Sequence, residues 1–434
     1  MMELLLLVIL SCVLLVWLWM RYRHPLPPIC PGALPVIGHV LAVPREPQER
    51  KVYYRSVINT GFIIYFPVLS DPDDAILVAN TCFSKSYMQN FASELYGRGL
   101  ATSEVSMWKV HRKLLNPSFS QQILNSFLGV FNDQSRRLVS ELDMEVGKDT
   151  LDVETYLTTF LLRTSCRKYF NLKSPPIGRR LNDFFHFEFQ IIQRKLNDKE
   201  STVIENSQDK FQPLLDRMLH LYKTQDAFTV DEIKEHVNTM IAATYETTAI
   251  SITFALILLG SHPDVQSRVL QELNEVFKEK DRDVDKTDLH KLVYFDAVIK
   301  ESLRLYPPGP RIVRCIDTDV KLKEYTLKAG SEVLISIHSI NRHPMWGADA
   351  DLFRPERWLD PASLPGNPNA FATFSLGKRN CIGKTYAILV MKVTLVHLLR
   401  KYHFTSSSPN IQSQCGAFFQ VPKNEHEVKI QYRK

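Results

Sequence analysis

The most informative segment of this chain reads Phe374-Ser-Leu-Gly377-Lys-Arg379-Asn-Cys381-Ile-Gly383. Two glycines bracket one cysteine, and the apolar stretch that follows predicts a helix that begins shortly after it. A helix N-terminus stabilises a thiolate, and Arg379 adds positive charge nearby. Such a thiolate can be an axial metal ligand or a nucleophile, whereas a lone cysteine is more often a small buried apolar residue. This ten-residue context favours a chemical role for Cys381.

The rest of the body is dominated by helical patterns. Thr229 and Glu232 form a capping box, and the helix that they open can continue without Pro or Gly to Leu259. Residues 240–248, in the middle of this helix, are small and polar within an otherwise apolar run. A central helix with such a polar notch predicts that something packs against the notch.

A shorter helix is predicted around Tyr294–Leu305, because Pro307 follows directly. Alternating runs that begin at Val320 and Glu332 predict short strands. We therefore predict a mainly α fold with a minor β region.

Composition limits the class of protein. The chain has 434 residues, of which 45% are hydrophobic and 23% are charged, and this excludes disordered and collagen-like proteins. The net charge of +6 is too small for its length to imply nucleic-acid binding. Seven widely spaced cysteines without a CxxC pair argue against a zinc site or a disulfide framework. These features favour a body that faces a reducing cytosol.

The N-terminus predicts a membrane anchor. Residues 4–20 are apolar apart from Ser11, and as a helix they span roughly 26 Å. Basic residues follow at once, which places the remaining chain in the cytosol. We expect an anchor and basic stop at 1–24, a Pro-rich hinge at 25–38 and one catalytic domain at 39–434. A cleaved signal peptide or a buried core helix is the alternative for the first segment.

The pattern Phe-x-x-Gly-x-Arg-x-Cys-x-Gly resembles the haem-binding loop of the cytochrome P-450 monooxygenases. Three more motifs resemble that family in its order along the chain: Trp108-Lys-Val-His-Arg112, Glu301-Ser-Leu-Arg304 and Phe353-Arg-Pro-Glu-Arg357-Trp358. The stretch around Trp108 looks most like the microsomal fatty-acid-hydroxylase-type clan, which has many insect members. The resemblance implies the cytochrome P-450 fold, preceded by one transmembrane helix.

The resemblance also implies a role for each matching residue. Cys381 would be the axial thiolate ligand of haem b, in a loop shaped by Phe374, Gly377 and Gly383. The haem propionates would be bound by a tryptophan and three arginines, namely Trp108, Arg112, Arg314 and Arg379. A buried triad of Glu301, Arg304 and Arg357 would support the haem loop.

Residues 243–248 resemble the family's oxygen-activation motif, in which Thr247 and Glu246 would guide protons. Thr244 stands in place of the usual glycine and adds bulk there. Ala243 replaces the glutamate that esterifies the haem in part of the clan, so we expect no covalent haem link. The interval from Arg112 to Thr247 is several tens of residues shorter than usual, and the loss lies near 166–178, in the roof of the substrate cavity.

The leading hypothesis is therefore an endoplasmic-reticulum monooxygenase acting on an apolar substrate, such as a fatty acid, a hormone or a foreign compound. Electrons would come from NADPH through a reductase, with cytochrome b5 as an additional partner, and membrane lipid would surround the anchor. The lysines at 109, 113, 378 and 384 would give the face on which the reductase docks a positive field and steer this acidic partner. Two alternatives stay open: a haem-thiolate isomerase or dehydratase, and a silent or unstable haem-binding isoform.

Overall fold

The computed structural model describes residues 67–86, 97–170, 213–279, 281–406 and 428–433, with shorter pieces at 93, 192, 195–196, 411, 413–415 and 419–423. The chain divides into two compact units. The smaller unit comprises Met1–Ser86, Arg311–His343 and Asn367–Asn380, and the larger comprises Tyr87–Pro310, Pro344–Gly366 and Cys381–Lys434. The predicted anchor and hinge lie outside the described residues.

Helices make up most of the described chain. In chain order they are α1 (Pro72–Thr81), α2 (Val105–Leu115), α3 (Gln121–Ser126), α4 (Leu128–Leu142), α5 (Val153–Phe170), α6 (Leu214–Gln225), α7 (Val230–Ser261), α8 (Pro263–Val276), α9 (Lys286–Leu289), α10 (Val293–Leu305), α11 (Ile337–Ile340) and α12 (Lys384–Lys401). Single 3-10 turns occur at Asn116–Phe119, Asp143–Glu145, Pro344–Trp346, Pro355–Trp358, Pro361–Ser363 and Pro368–Ala370.

The strands are short. They are β1 (Val68–Leu69), β2 (Arg311–Cys315), β3 (Val320–Lys321), β4 (Thr326–Leu327), β5 (Glu332–Ser336), β6 (Tyr402–Ser406), β7 (Ser413–Cys415), β8 (Gln420–Pro422) and β9 (Val428–Tyr432). The predicted mainly α fold with a minor β region is confirmed. The strand predicted from Val320 is only two residues long, and the one from Glu332 ends at Ser336 because α11 begins at the next residue.

The smaller unit is built on one three-stranded sheet in the order β1-β5-β2, in which β1 is parallel and β2 antiparallel to β5. Helix α1 begins after Asp71, whose side chain accepts hydrogen bonds from the backbone N–H groups of Asp73 and Asp74, with Pro72 at its first position. Its buried residues Ala75 and Val78 join an apolar core shared with the sheet. This core holds the segment that follows α1 in place beside the sheet.

Helix α7 is the central element of the larger unit. Both predicted ends are confirmed, because Thr229 and Glu232 cap each other reciprocally and the helix ends just before Pro263. Its C-terminal half packs against β6, where a side chain at Gly260 would meet the backbone N of Ser406 at 2.9 Å. By length and composition α7 could cross a membrane, but 83% of its most apolar window is buried within the protein. It is therefore the core helix of this unit.

A buried histidine pair joins α2 to α7. His236 Nε2 lies 2.8 Å from His111 Nδ1, and the rings of both residues contact Phe228. His236 is fully buried, and burial, assisted by the neighbouring His111, lowers the pKa of His236 to about 3. Burial also lowers the pKa of His111, although Glu232 partly opposes this effect. Both rings are therefore neutral at pH 7.

Acidification is expected to destabilise the fold through this pair. His236 becomes protonated near pH 6.5 in the unfolded chain but only near pH 3 in the folded chain. The stability that neutral His236 contributes is therefore complete above pH 6.5, and it is lost as the pH falls from 6.5 towards 3. From pH 7 to pH 5, the free energy of unfolding should fall by about 2 kcal/mol on this account. Urea unfolding midpoints at the two pH values measure the loss.

The matched variants are His236→Gln and His290→Gln. His290 is an exposed histidine after α9, so its replacement should leave the pH dependence as it is. The His236→Gln chain should lose less stability on acidification than the unchanged chain. Equal pH dependence in all three proteins would contradict the prediction.

Candidate functional site

Cys381 lies three residues before α12, whose N-cap is Gly383. The side chain is exposed, yet the protein atoms around it reduce its hydration enough to raise its pKa. The backbone N–H of Gly383 and the charges of Arg112 and Lys384 act in the opposite direction. The Cys381 thiol is therefore accessible and partly desolvated.

The Gly383 N–H at the start of α12 and the two positive charges favour the thiolate, as the sequence predicts, and desolvation opposes them. That Cys381 is a thiolate in the protein stays a prediction. The nearby cations are Arg112 and Lys384, whereas the sequence pointed to Arg379. Among the described residues, no group of three or more His, Cys, Asp or Glu side chains is arranged to hold a metal.

Trp108 and Arg112 lie one turn apart on α2, as predicted. Trp108 is buried, and Arg112 Nε donates to Asn116 Oδ1 at 2.8 Å. Burial lowers the pKa of Arg112, and the proximity of Cys381 partly compensates. Within the larger unit the structure therefore brings Arg112 near Cys381, although 269 positions separate them in sequence. The four predicted steering lysines are all exposed.

The smaller unit holds the first part of the loop, and Gly377 is its tightest point. Its φ is +68°, and a Cβ atom built there would meet the carbonyl oxygen of Ala79 at 2.5 Å. Ser375 also has a positive φ of 64°. The Asn380 N–H donates to the Gly377 carbonyl at 3.1 Å and closes the turn. Only glycine combines this backbone conformation with this close approach.

Replacing Gly377 with alanine should disrupt the loop. The left-handed backbone and the contact with Ala79 together should lower the free energy of unfolding by about 2–4 kcal/mol. Gly129 is the matched control, because it lies exposed in α4 with nothing near its missing side chain. Thermal midpoints should fall for Gly377→Ala and stay level or rise for Gly129→Ala. Similar midpoints in both variants would refute the prediction.

Arg314 and Arg379 are the two predicted arginines of the smaller unit. Arg314 lies on β2 and is only 2% exposed, and burial lowers its pKa to about 10. Its Nη1 donates to the Val313 carbonyl at 3.0 Å, but its buried Nε has no hydrogen-bond partner within the described chain. Arg379 is buried as well. A buried guanidinium with an unsatisfied N–H fits the carboxylate of a ligand.

The predicted triad is brought together within the larger unit. Arg304 donates to both oxygens of Glu301 at 2.8 Å, and Arg357 Nε donates to Glu301 Oε1 at 2.9 Å. All three side chains are fully buried. The arginines also reach backbone carbonyls of the segment that follows β5 and α11, including that of Ala350. The triad thus ties α10 to the segment around residues 346–358.

The polar notch of α7 carries an accessible face. Ala243 is exposed and Glu246 and Thr247 are half-buried, whereas the helix on either side is buried. These three residues share one face by their spacing. Thr247 Oγ1 donates to the Ala243 carbonyl at 2.7 Å. Thr244 is buried on the neighbouring face, where its Oγ1 donates to the Met240 carbonyl at 2.5 Å.

Two features were missed by the sequence analysis. Lys85 lies close to Arg314 and Arg379 in the smaller unit, and no motif marks it. The pair of His111 and His236 is the second, because His111 lies inside the Trp108–Arg112 motif but no signal in the sequence connects it to His236. Most of the shortened stretch near residues 166–178 lies outside the described residues.

Comparison with known proteins identifies what the chain resembles. A sequence model of the family described as Cytochrome P450 matches residues 28–173 and 169–430. Cytochrome P450 4V2 of Mus musculus is 27% identical over 481 residues, which cover 96% of this chain and 91% of the relative. Cytochrome P450 4c21 of Blattella germanica is 29% identical, with 86% and 87% covered. Probable cytochrome P450 313a4 of Drosophila melanogaster is 27% identical, with 91% of each covered.

These matches also bear on the shortened interval. The alignment with the mouse protein extends over 481 positions, 47 more than the 434 residues of this chain, so at least that many positions of the relative face gaps here. The family match divides at residues 169–173, inside the interval where the sequence predicts the loss.

Proposed function

Because this chain belongs to the cytochrome P450 family and is therefore a haem-thiolate monooxygenase, we propose that it inserts one oxygen atom from O2 into an apolar substrate with electrons from NADPH. The observation that carries this proposal is the accessible Cys381 thiol before α12, within a loop that matches the family's haem-binding pattern. The unsatisfied Nε of buried Arg314 supports a carboxylate-bearing cofactor.

Cys381 would be the single protein ligand of the haem iron, and the haem would supply the oxygen-activating chemistry. Arg112 and Lys384 favour the thiolate form that this role needs. Trp108, Arg112, Arg314 and Arg379 would bind the propionates. Phe374, Gly377 and Gly383 would shape the loop, and the triad of Glu301, Arg304 and Arg357 would keep the supporting segment in place.

Thr247 and Glu246 are proposed to deliver protons at the accessible face of α7. The Thr247 hydroxyl donates to the Ala243 carbonyl in this structure, so it would turn away from that carbonyl in order to donate a proton. Glu246 lies on the same face and would resupply the proton. The absence of a large side chain at Ala243 leaves this face open.

Membrane attachment and the electron-donating partners belong to the same proposal. The apolar N-terminal segment would anchor the chain in the endoplasmic-reticulum membrane. The catalytic domain would then lie in the cytosol. A membrane-bound NADPH-dependent reductase would supply the electrons, and cytochrome b5 would be a second donor. The exposed Lys109, Lys113, Lys378 and Lys384 would attract these acidic partners.

The test uses the full chain expressed in membranes. The ferrous carbon monoxide difference spectrum is expected to show the strongly red-shifted band of a thiolate-ligated haem. With a reductase and NADPH, an apolar substrate should then gain one oxygen atom from labelled O2. Conversion without reductase would favour an isomerase or dehydratase, and haem content without NADPH consumption would favour the silent isoform.

A further inference from the structure

We propose that Lys85 is an additional cofactor-binding residue, which together with Arg314 and Arg379 binds a haem propionate in the smaller unit. This inference rests on the proposed function, because it assumes that the chain binds haem. Lys85 lies outside every motif that the sequence analysis identified. Its assignment depends on three sets of contacts within the smaller unit.

The first set attaches the Lys85 segment to the end of β2. The Cys315 N–H donates to the Ser84 carbonyl at 3.0 Å, and Cys315 Sγ donates to the Lys85 carbonyl at 3.1 Å. Ser86 Oγ donates to Glu332 Oε2 at 3.0 Å, and Glu332 is the β5 partner of Cys315. The backbone of Lys85 is therefore held beside the residue that follows Arg314.

The second set attaches the preceding residues to the loop that carries Arg379. The carbonyl of Ala79, near the end of α1, fills the space where a side chain at Gly377 would be. Lys378 Nζ lies 5.5 Å from the centre of the Phe83 ring. The segment from Ala79 to Lys85 thus contacts both β2 and the Gly377 loop.

The third set is electrostatic. Loss of hydration lowers the pKa of Lys85 well below its ordinary value, and the charges of Arg314 and then Arg379 lower it further. Lys85 is half-buried and both arginines are buried, so the three cations act on one another where hydration is reduced. Glu332, whose Oε2 accepts from Ser86, is a carboxylate on the neighbouring strand β5.

A ligand carboxylate would relieve this repulsion and satisfy the Nε of Arg314. A propionate has the required charge, and it is flexible enough to accept from an ammonium and a guanidinium together. Lysine would contribute as a compact point charge, and the arginines as planar donors. The cluster accordingly fits one propionate.

The test measures haem loss from the holoprotein to apomyoglobin. Lys85→Gln should release haem about tenfold faster, the usual loss for one hydrogen bond to a charged group. Lys85→Arg should stay close to the unchanged chain. Lys328→Gln is the matched control, because Lys328 is an exposed lysine of the same unit that pairs with Asp319. An unchanged rate in Lys85→Gln would overturn the proposal.

Haem dimethyl ester separates propionate binding from a structural role. With this cofactor, Lys85→Gln and the unchanged chain should lose haem at equal rates, since the ester lacks the carboxylate. Lys85→Met keeps the length of the stem and serves as a second uncharged variant. Variants that hold the ester as poorly as they hold haem would show a structural role and overturn the inference. If the unchanged chain lacks the thiolate band, the proposed function itself fails.

Discussion

Cys381→Ala is expected to abolish the red-shifted carbon monoxide band and the NADPH-dependent oxygen insertion of this chain. Cys381 is the accessible thiol of the loop, and the helix N-terminus, Arg112 and Lys384 all favour its anionic form. Alanine has no atom that can coordinate iron. Activity should fall roughly 100-fold or more. Removal of a residue that only supports a metal ligand already costs up to about 100-fold, and removal of the ligand itself should cost at least as much.

Cys415→Ala is the matched control. Cys415 is also an exposed thiol of the larger unit, but it lies on β7 and outside the motif. Its replacement should leave the spectrum and the turnover unchanged. A red-shifted band that persists in Cys381→Ala and disappears in Cys415→Ala would reassign the ligand.

The local elements of this fold could be predicted because their determinants are neighbours in sequence. Thr229 and Glu232 cap each other within one turn, and α7 ends at Ser261, two residues before Pro263. The predicted polar notch corresponds to the accessible face around Ala243 and Thr247, because small and polar residues were the only break in the apolar run of α7.

The features that the sequence did not predict depend on contacts between segments that are distant in sequence. The position of Cys381 at a helix N-terminus predicts groups that favour its thiolate, and Gly383 supplies one, but the sequence could not show the desolvation that raises the pKa of this thiol. Lys85 follows α1 without any motif, and contacts between distant segments, among them the hydrogen bonds of Cys315, bring it near Arg314. His111 of α2 and His236 of α7 are 125 positions apart, and no spacing in the sequence predicts that they meet.

Glu301→Gln is expected to prevent accumulation of the folded holoprotein. Glu301 Oε1 accepts from Arg304, from Arg357 and from the Arg354 N–H at 3.1 Å, and Oε2 accepts from Arg304 and from Trp358 Nε1 at 2.9 Å. Burial alone would raise the pKa of Glu301, but the two guanidinium groups lower it below its ordinary value. The carboxylate is therefore the anion that compensates two buried cations.

Glutamine keeps the shape of this side chain but removes its charge, and its NH2 group would face N–H donors. Buried Arg304 would lose its carboxylate partner, and buried Arg357 would keep only its ion pair with Asp349 at 3.3 Å. Breaking such a buried pair costs about 3–5 kcal/mol. Glu356→Gln is the control, because Glu356 is a half-exposed carboxylate that pairs with Arg268 across the surface. That pair contributes at most about 1 kcal/mol. Haem content and the urea unfolding midpoint should therefore fall sharply for Glu301→Gln and change little for Glu356→Gln. Equal effects of the two substitutions would show that the buried network does not determine the fold.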